Sequence, residues 1–374
     1  MNHKLLSRVT TVILMTNLML PLCSRADVVT DYGFDIVDTF DNLKNWKGKA
    51  WSGSKAKVCI EKDAGDLPVK QDGSPSIWTG YTHFNSSDAA GDWIADHGSG
   101  NVWRGSGKSM RMDIGGGTGG TPGYGPERFI TYFGNGSRNS GYSDVYIFFM
   151  AKIDPAQFPT EISNGVGKYV AGKPYVYWRS WKFFTVTHGF ESTFVHGDAD
   201  APRDNYGWHQ WNTHLRPIDG KMGTKIEGWY EGSDSQSGVD DNWVYSSSPI
   251  AGIPLGEWFG IEVHYSLGTA GTNSGKEEIW IYDQNGNGTL YMSKSNLYVQ
   301  HSKLKGDKIN KFWIGGNNSN EYIWGPTMVP EYYIDDFIVN GSRIGPTYFS
   351  LIAGKNPPKQ ALPAPQINKI NIQN

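Results

Sequence analysis

Residues 205–215 read NYGWHQWNTHL, a run that mixes two indoles, two imidazoles and three side-chain amides. Indole and phenol rings stack on the apolar faces of sugar rings, while amides and imidazoles reach hydroxyl and carboxylate groups. In a strand, residues two apart share a face. Tyr206, Trp208, Gln210, Asn212 and His214 then form one set, and His209, Trp211, Thr213 and Leu215 the other, whose end is more apolar. The first set is assigned to a groove open to water. The competing reading makes Trp208 and His214 core or rim residues.

Two further stretches offer groups of the same kind. In WFGIEVHYSL, residues 258–267, the apolar set Phe259, Ile261, Val263, Tyr265 and Leu267 alternates with Glu262, His264 and Ser266. In EEIWIYD, residues 277–283, Ile279 and Ile281 alternate with Glu278, Trp280 and Tyr282. Aromatics on an outer face mark a contact site, so Trp280, Tyr282 and His264 are expected beside Trp208 and His214.

Glu262 and Glu278 share that expected face. Glycoside hydrolysis needs two carboxyl groups about 5–5.5 Å apart for retention, or about 6.5–9.5 Å for inversion. A hairpin through Gly268–Lys276 offsets these two by two to four residues, about 7–13 Å along the strand, and the short end fits inversion. In the stretch Tyr175–Thr187, Arg179 and Lys182 stand on opposite parities, and alternation does not choose which cation faces the groove. Each alone also suits a surface or ion-pair role.

Whatever these side chains do, many short strands must position them. The 374 residues include 47 Gly, 15 Trp, 20 Tyr and 16 Phe. Aromatic and β-branched residues pack on pleated surfaces, and glycine supplies the turns. Strands are predicted at Asp144–Ile153, Tyr175–Thr187, Trp208–Leu215, Lys225–Tyr230, Trp258–Leu267, Glu277–Tyr282, Lys311–Ile314 and Tyr332–Asn340. Gly, Asn, Asp and Pro clusters separate them, without helical periods. That pattern predicts an all-β sandwich or jelly roll of antiparallel sheets. The Gly-rich run at Asp113–Gly125 opens no helix after a strand, so it reads as a loop and not a phosphate cradle.

The amino terminus reads as a secretory signal over residues 1–26. Lys4 and Arg8 lead an apolar run, and Ser24-Arg25-Ala26 supplies a small-x-small cleavage pattern. The apolar run is too short to span a bilayer, and a secreted or periplasmic location is expected. Cleavage removes Lys4, Arg8 and Arg25 and no acid, taking the formal charge from 34 − 37 = −3 to 31 − 37 = −6, which excludes nucleic-acid binding through bulk charge. It leaves Cys59 alone, so no intrachain disulfide is available. Residues 27–349 are read as one β domain with long loop insertions, acting as a monomer, and 350–374 as a Pro-rich tail.

The stretch YYIDDFIVNGSRIGP at Tyr332–Pro346 resembles the closing strand and Ile-Gly-Pro turn of concanavalin A-like jelly-roll carbohydrate-active proteins, including several polysaccharide lyase families. GEWFGIEVHYSLGTAG followed by GKEEIWIYD resembles the Trp-led strand and hairpin of the same proteins, and DTFDNLKNWKG at Asp38–Gly48 their opening strand. The matches cover about a quarter of the mature chain and specify fold better than chemistry. They imply a structural calcium held by Asp38, Asp41 and Asp336, whose hard oxygens suit that ion, and no organic cofactor. DQNGNG at Asp283–Gly288 has Lys294 where a calcium loop needs glutamate, and reads as a hairpin turn.

If the resemblance extends to activity, the reaction is β-elimination on an anionic, uronate-containing polysaccharide. It needs groups to neutralise the carboxylate, a base for the C5 proton and an acid for the leaving oxygen. Arg179 or Lys182 with Gln210 and Asn212 would neutralise, His214 or His264 would act as base, and Tyr177 or Tyr282 as acid. Trp208, Trp280, Glu262 and Glu278 would line the groove. The Gln-Ile-His and Tyr-x-Lys-x-Gly patterns of alginate-cleaving enzymes are absent. A non-catalytic lectin or carbohydrate-binding module needs no acid or base and is the main alternative; a glycoside hydrolase is the third.

Overall fold

The computed structural model describes residues 25–48, 67–82, 92–113, 128–135, 137–153, 162–163, 166–167, 181–189, 208–216, 221–229, 244–245, 256–300, 302, 305–315 and 331–355. The strands, in chain order, are β1 (Ile36–Asp38), β2 (Trp78–Thr82), β3 (Ile94–Ala95), β4 (Ser109–Asp113), β5 (Arg128–Tyr132), β6 (Asp144–Ile153), β7 (Ile162–Ser163), β8 (Val166–Gly167), β9 (Trp181–His188), β10 (Trp208–Arg216), β11 (Lys221–Trp229), β12 (Val244–Tyr245), β13 (Trp258–Ser266), β14 (Gly275–Tyr282), β15 (Gly288–Leu297), β16 (Ile309–Gly315) and β17 (Glu331–Asn340). Two helices, α1 (Arg25–Thr30) and α2 (Gly345–Ile352), flank them.

Antiparallel pairing builds two large sheets. The first has the order β15-β14-β13-β6-β17-β4-β3, with β1 also on β17; the second has the order β12-β11-β10-β9-β16-β5-β2. This is the expected all-β sandwich. Strands β2, β4 and β5 enter both sheets from the region 59–141, so their segments are part of the sandwich and not a separate unit.

Alternation fills the space between the sheets. Phe259, Ile261, Val263, Tyr265 and Leu267 from β13 and its end meet Val145, Ile147 and Phe149 of β6, Phe184 and Val186 of β9, Trp211 of β10 and Phe312 of β16 in one buried cluster. Trp211 stacks on Tyr265 at 4.8 Å, and the Thr213 and Tyr265 hydroxyls are 2.9 Å apart. The more apolar parity of 205–215 therefore faces inward, as expected. Burying so many large side chains supplies the stability that a disulfide would otherwise provide, at about 25 cal/mol for each Å² of apolar surface removed from water.

Two irregularities shift this alternation. Phe183 is skipped in the β9–β10 register, so both Phe183 and Phe184 pack in the core. In β17 the register shifts between Asp335 and Ile338, with Asp336 at φ 47°, and Phe337 and Val339 turn inward where simple alternation would place Asp336 and Ile338. An extra residue in one strand re-aims the side chains beyond it.

A second buried cluster lies on the other side of the first sheet. Phe148, Met150, Trp258, Trp280, Tyr282, Tyr333 and Ile338 pack against Ile344, Tyr348 and Phe349 of α2 and its lead-in, with Val29 of α1. Pro346 sits in the first turn of α2, where a missing N–H costs nothing. Gly345 lies so close against the Tyr282 ring that a Cβ there would collide with it. The helix runs to Ile352, with Leu351 buried, past the boundary at 349 where a flexible tail was expected. Among the described residues no helix is long and apolar enough to cross a membrane. The cleavage point after Ala26 falls within α1.

Candidate functional site

The expected groove does not form from three strands. β13 and β14 belong to the first sheet and β10 to the second. The faces of these sheets that point away from the core lie on opposite sides of the sandwich. His264, Trp280, Tyr282, Glu262 and Glu278 therefore cannot share a surface with the 208–214 set. Alternation sorts the two faces of a strand, and says nothing about which sheet the strand joins.

On the first sheet these side chains are spent on one another. Glu262 is 0% exposed. It accepts hydrogen bonds from Tyr282 Oη at 2.6 Å and Ile344 N at 2.5 Å, and Arg343 Nε stands 3.6 Å away. Burial pushes the Glu262 carboxyl up and, with Glu262 beside it, pushes the Tyr282 phenol up too. Arg343 covers the Trp280 ring at 4.5 Å, and Trp280 stacks on Tyr146. Glu262 opposes Trp280, and Glu278 opposes His264, as the predicted hairpin offset requires. A carboxyl sealed beneath a helix cannot serve a hydrolytic pair, so Glu262 and Glu278 are not a glycosidase dyad.

His264 is held just as firmly. Its Nδ1 lies 2.9 Å from Glu278 Oε2 and its Nε2 2.8 Å from Asp144 Oδ1, while Tyr146 stacks on the ring at 4.1 Å. An ionised carboxylate only accepts, so the two bonds favour the doubly protonated, charged ring. Burial opposes that charge, but the bonds to Asp144 and Glu278 outweigh it and hold the pKa above the usual histidine value. With both nitrogens engaged by carboxylates, the ring has none free to meet a substrate proton. His264 therefore does not fit the expected base, nor does Tyr282, buried and donating to Glu262, fit the expected acid.

The residues expected to hold calcium also have other partners. Asp38 accepts from Phe40 N at 2.7 Å and Trp78 Nε1 at 2.9 Å, and burial raises it to about 6. Asp41 accepts from Lys108 N at 2.7 Å. Asp336 pairs with Arg104 at 3.2 Å and accepts the Tyr348 hydroxyl proton. Among the described residues no group of three or more His, Cys, Asp or Glu side chains is spaced to hold a metal. With Asp336 paired to a guanidinium and Asp38 and Asp41 engaged by backbone and indole N–H groups, these residues do not fit calcium. The turn at Asp283 forms as expected, with Asp283 Oδ1 accepting from the backbone of Asn285 and Asn287.

The outward face of the second sheet carries another set of aromatic and polar side chains, also buried at its described positions. Its register sets side by side, on successive strands, Tyr132, Lys311, Thr187, Gln210 and Glu227. The next row is Ile130, Trp313, Thr185, Asn212 and Lys225, and beyond it Lys182 opposes His214. Of the candidates, Gln210, Asn212, His214 and Lys182 thus share one face, with Trp208 at the end of the same strand opposite Trp229. The side chains of these five lie outside the described residues, as do Tyr177 and Arg179 altogether. The bulge at Phe183 is what brings Lys182 to the parity of Thr185.

Sequence reasoning missed Lys311, Trp313, Thr185, Thr187 and Tyr132 as members of this face. Lys311 is 1% exposed, and its Nζ lies 5.1 Å from the Tyr132 ring centre and 5.4 Å from that of Trp313. The signal was present: in NKFWIG, Lys311 and Trp313 alternate with the core residues Phe312 and Ile314.

No protein-family model matches the chain, and no curated protein does. Solved structures are similar to it. An endo-β-1,4-glucuronan lyase from the fungus Trichoderma reesei is 13% identical, with a TM-score of 0.41 over 70% of this chain and 94% of that one. A marine PL-14 alginate lyase from Aplysia kurodai is 10% identical, with a TM-score of 0.40 over 66% and 85%. The binding domain of a botulinum neurotoxin of serotype D/C is 13% identical, with a TM-score of 0.32 over 65% and 43%. Lyases and a toxin binding domain both stand among these neighbours.

Proposed function

We propose that this chain is an exported polysaccharide lyase that cleaves a uronate-containing polysaccharide by β-elimination on the outward face of the second sheet. The observation that carries the reading is the register that sets Lys182 opposite His214, one row from Asn212 and two from Gln210. A cation and amides beside a uronate carboxylate would neutralise it and make the C5 proton more acidic. His214, one strand from Lys182, would take that proton. The electron pair left on C5 forms the C4–C5 double bond as the bond from C4 to the glycosidic oxygen breaks. That oxygen receives a proton from Tyr177 or from the His214 imidazolium, so one sugar chain leaves with a new hydroxyl and the other with an unsaturated end.

The test is incubation of the purified protein with glucuronan, alginate and their carboxyl-reduced forms, read by the ultraviolet chromophore of the unsaturated end and by new reducing ends. The chromophore on uronate polymers, lost in His214→Ala, supports the reading. Polymer binding with neither product would make the chain a glycan-binding protein. Reducing ends without the chromophore would make it a hydrolase. Export is checked by sequencing the amino terminus of the mature protein, expected at Asp27.

A further inference from the structure

We infer that Lys311 and Thr187 together form a second carboxylate subsite, for a uronate other than the one at Lys182 and His214, an assignment that rests on the lyase reading and gives it a substrate-selecting residue. Lys311 is on β16 and Thr187 is its partner on β9. Gln210 follows on β10, so the three positions span about 10 Å across the sheet at the usual strand spacing. Two rings flank the ammonium, Tyr132 and Trp313. A cation over ring faces is held in place electrostatically, and the same flat apolar surfaces suit sugar rings.

Two observations set this position apart from an ordinary surface lysine. Lys311 keeps 1% of its surface exposed, and a cation shielded from bulk water attracts an added anion more strongly than one in water does. Beside it, Thr187 is 0% exposed and its Oγ1 has no hydrogen-bond partner. A buried hydroxyl without a partner is costly, and native proteins rarely leave one so. A carboxylate oxygen between the two would accept from Thr187 Oγ1 and from Lys311 Nζ at once. An ammonium already bonded within the protein still serves, because it carries three donors. The shielding also favours a carboxylate delivered on a bound glycan over a small free anion, which must shed its water unaided. From this subsite the sugar chain extends along β9 and β10 toward Asn212, Lys182 and His214.

The test is calorimetric binding of glucuronan oligosaccharides and their carboxyl-reduced counterparts to wild type, Lys311→Met and Thr187→Val, with thermal unfolding to confirm that each variant folds. Wild type is expected to prefer the charged oligosaccharide by about tenfold or more, the worth of one charge-assisted hydrogen bond. Lys311→Met should lower that preference by about tenfold, leaving what Lys182 contributes, and keep affinity for the neutral oligosaccharide within about twofold. Thr187→Val, which keeps the volume, should reduce the preference severalfold. A folded Lys311→Met that keeps the preference overturns the subsite while cleavage by wild type leaves the lyase reading standing. If Lys311→Met does not fold, an unchanged preference in Thr187→Val overturns the subsite by itself. Wild type that binds neither oligosaccharide, or both equally, overturns the subsite, and absence of the unsaturated product overturns the lyase reading separately.

Discussion

The two outward faces of the sandwich carry the same kinds of residue and put them to different uses. On the first sheet, Glu262, Trp280 and Tyr282 interlock beneath α2 and its lead-in, and His264 and Glu278 pair beside them with Asp144 and Tyr146, each ring or carboxyl engaged by a neighbour. On the second, Lys311, Trp313, Thr185 and Thr187 share a face with the register positions of Gln210, Asn212, His214 and Lys182. Aromatic and polar residues alternating with apolar ones are compatible with either outcome. A covering helix turns such a face into a second core, where every polar group must find a partner within the protein. Glu262 and its partners on the first face therefore govern stability, and the proposed chemistry belongs to the second face, whose described side chains are buried too.

The sharpest way to break this comparison is His214→Ala on the second face. Loss of a general base should lower elimination about 10²–10⁴-fold, while stability stays within about 0.5 kcal/mol; turnover and chemical denaturation measure the two. On the first face the pattern reverses. Glu262→Ala strands the Tyr282 hydroxyl and the Ile344 N–H, and should cost about 1–3 kcal/mol for each buried group so stranded, in urea unfolding with polymer selectivity unchanged.

Tyr348→Phe is a smaller version of the same test. The hydroxyl accepts from Trp103 Nε1 at 2.6 Å and donates to Asp336, which also faces Arg104. Its removal should cost about 1–3 kcal/mol, again without effect on the second face.

The smallest effect is a pH dependence. His264 titrates above its usual value, so the stability it contributes is complete below about 6.5, its unfolded pKa, and is lost as pH rises through the folded value. Burial raises its partners Asp144 and Glu278, but their hydrogen bonds to His264 outweigh it and leave both lowered, so their contribution is lost in the opposite direction, as pH falls through their folded values. Lys276, 2.9 Å from Glu278, and the stacked Tyr146 complete the groups around the ring. In His264→Gln the alkaline decline, measured by melting temperature against pH, should flatten. An equal decline in wild type and variant would assign it to other groups.

Much of the fold was legible in the residues. Strand β6 runs over the predicted Asp144–Ile153, and the hairpin of β13 and β14 forms with its alternation intact, because period-two patterns in Val, Ile, Phe and Tyr report directly which side chains enter a core. Strands β2, β3, β4, β5, β7, β8, β12 and β15 were not read, and α2 begins just where a turn and then a tail were expected. The missed strands are short, or, in β15, mostly exposed, with Gly288, Ser293 and Lys294 in place of an apolar face. Short amphipathic helices such as α2 are stabilised by what they cover and not by propensity.

Of the candidate site, half the logic survives. Trp211 and Thr213 face inward as their parity required, which places the Gln210, Asn212 and His214 positions outward. The choice between Arg179 and Lys182 could not be made from alternation, because the bulge at Phe183 is a property of pairing. The grouping of His264 and Trp280 with His214 failed for the same reason: sheet membership arises from contacts between distant segments.

Alternation along single strands was therefore written in the sequence, and with it the two-sheet sandwich, the core, and the sorting of each strand into an inner and an outer face. Which strands became neighbours, where a bulge shifted the phase, and which outer face received a helix were decided only by tertiary structure. The physical reason is range: a strand's own pattern is local, whereas the fate of an exposed-looking carboxyl or indole depends on whether a segment such as α2, some eighty residues from Glu262 along the chain, returns to cover it.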